Sequence, residues 1–215
     1  MDWRGEKAVV AARADWLTGG GEMGQLIREM DWSRTPVGPI ESWPQSLRSS
    51  VSMLLPSKAQ IILFWGPSLL AIYNDTYREI FGTKTPWALG RPARECWSEI
   101  WYVLGPLLEG VVNTGEAFWA KDHPFSLERL GYTEETYFDV SYDPVRDETG
   151  NVGGVFCIVR ETTGRVLGER RLQTLRDLAA RSAQARTEEA ACELAAETLA
   201  ANAYDIPFAM LYLLD

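Results

Sequence analysis

The chain of 215 residues has one histidine, His123, and three cysteines, Cys96, Cys157 and Cys192. A single imidazole excludes a zinc site built on two or three histidines of one chain. It leaves one candidate for most proton relays. The cysteines lie far apart, with no C-x-x-C pair, so no metal knuckle is expected. An odd, sparse count fits a reducing compartment. Positive charge is short as well: Lys plus Arg is 21 against Asp plus Glu at 30, a net charge of -9. That balance argues against non-specific nucleic-acid binding, which needs basic patches to displace counterions. It also argues against docking on anionic lipid. Long apolar runs are missing. The longest, Ile61 to Tyr73, is broken by Gly66, Pro67 and Ser68 and falls short of the ~20 residues that span a bilayer. The first residues, Met1 to Lys7, are mixed in charge and lack a signal peptide's apolar stretch. A soluble, cytoplasmic protein without membrane insertion is expected.

Tryptophan, in contrast, is abundant. Nine Trp and 46% apolar residues predict a core rich in aromatic clusters.

Glu6 to Leu17 reads as a short helix stopped by Thr18-Gly19-Gly20-Gly21, and Met23 to Met30 as a second. A turn-rich connector follows, Asp31 to Pro39. Ser42 is placed to cap the next helix, with Pro44 in its first turn. Leu47, Val51, Leu54 and Leu55 keep helical spacing until Pro56.

From Gln60 the period changes. Ile61 to Phe64 and Leu69 to Tyr73 flank Trp65-Gly66-Pro67-Ser68, a β-hairpin pattern. Asn74 then caps a helix, Asp75 to Phe81, that ends at Gly82. Glu95 to Trp101 and Leu104 to Asn113 read as short helices, and Glu116 to Lys121 as a strand. Thr136 to Tyr142 alternates, with Phe138, Val140 and Tyr142 on one face. Asp147 to Asn151 is a hairpin turn, and Val152 to Arg160 the returning strand. The order predicts an α+β fold: one antiparallel five-stranded sheet with helices on one face.

Gly164 to Ala185 reads as a helix suited to pairing with another helix. Thr187 caps a further helix running through Asn202, and Pro207 to Leu214 reads as a strand. A strand without a neighbour leaves an open edge. Residues 187–215 are therefore expected to open a second domain of a longer protein.

The segment from Ala59 to Thr163 resembles a PAS domain. The likeness rests on the hairpin, on IYNDTYREIFG (Ile72 to Gly82), and on EETYFDVSYDPVRDETGNVGGVFCIVRETTGR (Glu134 to Arg165). The family leaves its last strand through Asp-hydrophobic-Thr, often followed by an acid and Arg. The exit here is Glu161-Thr162-Thr163-Gly164-Arg165, with Glu for Asp, Thr for the hydrophobic residue and Gly for the acid. GGGEMGQLIREMDWSRTPVGPIESWPQSLRSSVSMLL resembles the leader before such domains in bacterial sensor histidine kinases. AAETLAANAYDIPFAMLYLLD resembles the opening of a GAF domain. The implied layout is a helical leader at 1–57, a PAS sensory domain at 58–163, a signalling helix at 164–186 and the start of a GAF domain at 187–215. The implied function is the input part of a two-component sensor histidine kinase, with GAF and kinase domains downstream in a phosphorelay.

Gly19-x-Gly21-x-x-Gly24 matches the dinucleotide fingerprint as a string. A helix precedes it and no βαβ unit follows, so it reads as a flexible linker. His123, in Lys121-Asp122-His123-Pro124, reads as an exposed loop histidine rather than a haem ligand. It is not the phospho-accepting histidine of a kinase, which is followed by Glu on a helix, whereas Pro124 follows here. Light-sensing relatives carry Asn-Cys-Arg-Phe-Leu-Gln at their flavin; Arg94-Glu95-Cys96-Trp97-Ser98 does not match. Neither flavin nor haem is expected, no metal is expected, and no catalytic constellation is visible.

Trp97, Trp101, Phe118, Trp119, Phe138 and Phe156 are candidates to line a small-molecule pocket between helices and sheet, or to fill a core. The expected relay runs along Val152 to Arg160 through Glu161, Thr163 and Arg165 into the exit helix. There Leu172, Leu175 and Leu178 would pair with a second copy. A ligand-free PAS domain serving as a dimerisation or interaction scaffold is the alternative.

Overall fold

The computed structural model describes residues 16–213. These fall into two compact units, divided between Glu161 and Thr162. The expected helix from Glu6 lies outside the described residues up to Ala14 and Asp15, as does the end of the last expected strand.

In the first unit, α1 (Gly21–Glu29) and α2 (Gln45–Leu54) form the leader, joined by short 3-10 turns at Trp32–Arg34 and Ile40–Ser42. The leader has its own aromatic knot. Trp32 meets Trp43 edge-on at 4.9 Å. Both indole N–H groups are satisfied, Trp32 donating to the Ile27 carbonyl and Trp43 to that of Gly38. Met23, Ile27, Trp32, Trp43, Leu47, Val51 and Leu54 belong to the same buried core as the sheet. Each such side chain stabilises by roughly 1.5–3 kcal/mol on burial, which fixes the leader to the domain.

Ser42 does not cap α2. Its hydroxyl donates to the Pro39 carbonyl, and Pro44 occupies the cap position without a side-chain bond. The first turn is held from a distance. The Glu148 carboxylate accepts from the Ser46 amide at 2.7 Å and from its hydroxyl at 3.1 Å. An anion at a helix N-terminus satisfies orphan amides and opposes the dipole. Glu148 sits in the Asp147–Asn151 turn, closed by the Asp147 carboxylate accepting from the Thr149 and Asn151 amides.

The sheet has strands β1 (Gln60–Trp65), β2 (Leu70–Tyr73), β3 (Phe118–Glu128), β4 (Thr133–Arg146) and β5 (Val152–Glu161). They lie in the order β2-β1-β5-β4-β3, and all pairs are antiparallel. This is the α+β arrangement expected from the sequence. β4 alternates as read, with Thr136, Phe138, Val140 and Tyr142 buried. Ile61 to Trp65 of β1 are buried on both faces, and α2 packs against this strand.

β3 is longer than expected. His123 and Pro124 are inside it, beyond a register shift between Ala120 and His123, with Asp122 at φ 51. The loop reading of His123 is therefore corrected: a bulge lets the strand continue through a sequence that looks like a turn. Between β2 and β3 run a 3-10 turn (Asp75–Tyr77), α3 (Arg78–Phe81), α4 (Ala93–Cys96) and α5 (Trp101–Thr114).

The second unit is a helical pair, α6 (Thr163–Ser182) and α7 (Glu188–Ala200). Thr187 caps α7 as expected, accepting from the Ala190 amide. The Arg170 guanidinium forks onto the Asp205 carboxylate at 2.7 and 2.8 Å and holds it down at about 2. Arg181 pairs with Glu197. Residues 207–213 form no strand, contrary to expectation. A lone extended segment has no edge to satisfy its amides and carbonyls. Phe208 and Tyr212 are exposed.

Candidate functional site

A cavity of about 30 Å³ lies between the sheet and the helices. Its floor is the inner face of the sheet: Ile62 and Phe64 from β1, Cys157 and Val159 from β5, and Phe138, Val140 and Tyr142 from β4. Phe125 and Leu127 of β3 close one side, and Tyr77, Ile80, Trp97, Ile100 and Leu104 form the roof. One water needs some 10–15 Å³ of such space, so the cavity has room for about two waters or one very small molecule. No lining residue carries a formal charge.

The polar groups on the wall are kept neutral. Burial pushes the phenols of Tyr77 and Tyr142 well above their usual range and does the same to the Cys157 thiol. Outside the lining, burial lifts the Cys96 thiol to about 12. Thiols held protonated are poor nucleophiles and poor metal ligands. Trp97 stacks on Phe81 at 4.6 Å, and the Lys84 ammonium sits 4.6 Å over the Trp97 ring. Lys84 also pairs with Glu99 and donates to the Cys96 carbonyl. The Trp97 indole N–H is buried without a partner among the described residues. The chamber can hold something small and uncharged. Its polar groups are two phenols, a thiol and the Trp97 indole, all uncharged.

Of the aromatic candidates, the structure brings Trp97 and Phe138 together at the cavity. Trp101 lines a separate open groove with Trp65, Val112 and Gly153. Phe118 packs on Tyr142 at 5.7 Å and near His123 at 6.2 Å, beside the cavity but outside its lining. Phe156 and Trp119 lie on the other sheet face, because side chains alternate along a strand and Cys157 and Val140 point inward. Trp119 is 69% exposed.

His123 lies on the inner face between Phe118 and Phe125, edge-on to Phe125 at 4.9 Å. Its Nε2 is buried without a partner among the described residues, and desolvation lowers its pKa. The described residues contain no group of three His, Cys, Asp or Glu able to hold a metal ion.

At the sheet exit, Glu161 receives a bidentate clamp from Arg129, at 2.8 and 3.0 Å. The same guanidinium donates through Nε to Glu134, at 3.2 Å. The Glu161 hydrogen bonds keep the Arg129 pKa raised. Arg129 stands in the β3–β4 turn and has no counterpart in the sequence reading. The strand register alone brings it beside Glu161. Arg165 pairs with Glu169 one turn along α6, and Thr163 opens that helix. In α6, Leu172 and Leu175 are exposed and Leu178 is half-buried.

Comparison with known proteins places this geometry. Residues 69–167 match the PAS fold family, and the sheet order, the Asn-capped turn after β2 and the cavity position make this a PAS fold. No curated protein matches the chain. Among solved structures, an RNA-binding light-oxygen-voltage receptor is 17% identical over 60% of this chain, with a TM-score of 0.43. The chain spans 36% of that receptor. The PAS domain of the histidine kinase ThkA is 19% identical, with 47% of this chain and 98% of that one covered and a TM-score of 0.38. A sensory box sensor histidine kinase from Vibrio cholerae is 16% identical over 54% of this chain and 90% of that one, with a TM-score of 0.38. No helix among the described residues is long and apolar enough to cross a membrane.

Proposed function

We propose that the chain is the sensory input module of a cytoplasmic signal-transduction protein, the N-terminal part of a sensor histidine kinase. The supporting observation is the uncharged cavity whose floor includes Cys157 and Val159 of β5, the strand that ends at Glu161 and continues into α6. A small neutral molecule filling this space displaces the β5 wall, and Glu161, Thr163 and Arg165 pass the change into α6. Such a ligand acts only through its different affinity for two sheet conformations. In this reading α6 pairs with a second copy through Leu172, Leu175 and Leu178. Residues 187–215 begin a GAF domain, and the kinase and its phosphorelay lie further on.

Native mass spectrometry of the purified chain tests the reading by reporting bound ligand and oligomer together. A retained small molecule on a dimer supports it, and a bare monomer counts against it. The second reading is a ligand-free PAS domain that serves as a scaffold. It is favoured by the cavity's small volume, which the existing side chains nearly fill.

A further inference from the structure

We propose that the leader helix α1 is a latch on the PAS core, closed by Asp75 and set by the filling of the cavity. The latch explains the Gly19-x-Gly21-x-x-Gly24 string, which is not a linker. Helix α1 starts from Gly20, which has a left-handed backbone (φ 78) and no side chain to cap the first turn. The missing acceptor comes from Asp75, more than fifty residues away. Its carboxylate accepts from the Met23 amide at 2.8 Å and the Glu22 amide at 3.2 Å. The glycines make this approach possible. A Cβ on Gly21 would fall 1.7 Å from the Asp75 carboxylate, and one on Gly24 would fall 2.2 Å from the Gly19 carbonyl. The string thus does what a phosphate-binding turn does, with an internal carboxylate in place of the ligand. Arg78, three residues past Asp75, pairs with Glu22 on the same helix.

Asp75 belongs to a turn that reaches three places at once. Asn74, fully buried, accepts from the Ile61 and Tyr77 amides and donates to the carbonyls of Leu54, Ser57 and Ala59. It ties the end of α2 to the start of β1. Asp75 holds α1. Tyr77 lines the cavity. Displacement of Tyr77 by a cavity occupant therefore moves the residue that closes the latch. Opening frees α1 to change its contacts with the core. The coupling rests on the cavity reading above, whereas the latch rests on the Asp75 contacts alone.

Hydrogen exchange on the whole chain tests both parts. Asp75→Ala is expected to speed exchange of the Glu22 to Ile27 amides about 2- to 30-fold, the range for losing a helix cap, with β4 and β5 unchanged. Asp75→Asn, which keeps one acceptor, falls between. Filling the cavity, by xenon under pressure or by Val140→Phe, is expected to change α1 exchange in the parent and not in Asp75→Ala. Xenon keeps the test open where Val140→Phe does not fold, and methyl shifts of Leu104 and Val159 verify that the gas has entered. Unchanged α1 exchange in Asp75→Ala overturns the latch. An α1 that opens in Asp75→Ala yet ignores both fillings overturns the coupling. Failure to find a bound ligand by mass spectrometry bears on the sensing reading and leaves these outcomes intact.

Discussion

Leu104→Ala is the most direct probe of the cavity. Leu104 is 4% exposed and forms part of the roof. Removing three carbons forfeits roughly 0.8 kcal/mol of transfer energy each, about 2.4 kcal/mol in all. Each lost carbon leaves a void near one water's share of liquid volume, about 30 Å³. The resulting ~90 Å³ adds about 2 kcal/mol at ~24 cal/mol per Å³. The expected loss is therefore ~4–5 kcal/mol, read from the urea midpoint of tryptophan fluorescence at constant m. A domain stable by ~5–15 kcal/mol survives it. The new void merges with the existing 30 Å³, and most of its walls are aliphatic or aromatic side chains. Benzene is expected to bind there and restore up to ~2.7 kcal/mol at a hundred times its dissociation constant. A loss below ~1.5 kcal/mol, with no stabilisation by benzene, would refute a largely apolar cavity at this place.

Three further outcomes follow from the same geometry. Asn74→Ala strands three carbonyls and two amides around a fully buried position; a loss of ~3–5 kcal/mol in chemical denaturation is expected, and a loss under ~1 kcal/mol would mean that water replaces the side chain. His123 has its pKa lowered by burial, so the unfolded chain takes up the proton first as pH falls below about 6.5. Stability owed to the neutral ring is complete above that pH and declines below it. The parent should lose more than His123→Gln between pH 7.5 and 5.5, and equal losses would exclude His123 as the cause. If α6 pairs with a second copy, Leu175→Asp shifts the mass in light scattering toward the monomer; an unchanged mass counts against that pairing.

Much of the fold is legible in the sequence because it is set locally. The β4 alternation of Phe138, Val140 and Tyr142 is a two-residue period, and the pleat converts it directly into one buried face. Asn74 before Asp75 and Thr187 before Glu188 are capping signals that act within three residues. The hairpin turns at Gly66 and Asp147 to Asn151 are fixed by their own side chains and backbone angles.

What tertiary structure decides is which distant groups satisfy one another. Ser42 has the right chemistry to cap α2, yet the cap is Glu148, 102 residues from Ser46. The glycine string resembles a ligand loop, and its partner is Asp75, 52 residues from Met23. Arg129 meets Glu161 only once β3, β4 and β5 are in register. The same register separates Phe138, at the cavity, from Phe156, on the opposite face, although both looked like wall residues. Residues 207–213 have the composition of a strand and form none. The sequence by itself determined periods, caps and turns, because those depend on neighbours along the chain. Only the folded chain decided the cavity, the clamp at the sheet exit and the closed leader, because hydrogen bonds and voids depend on neighbours in space.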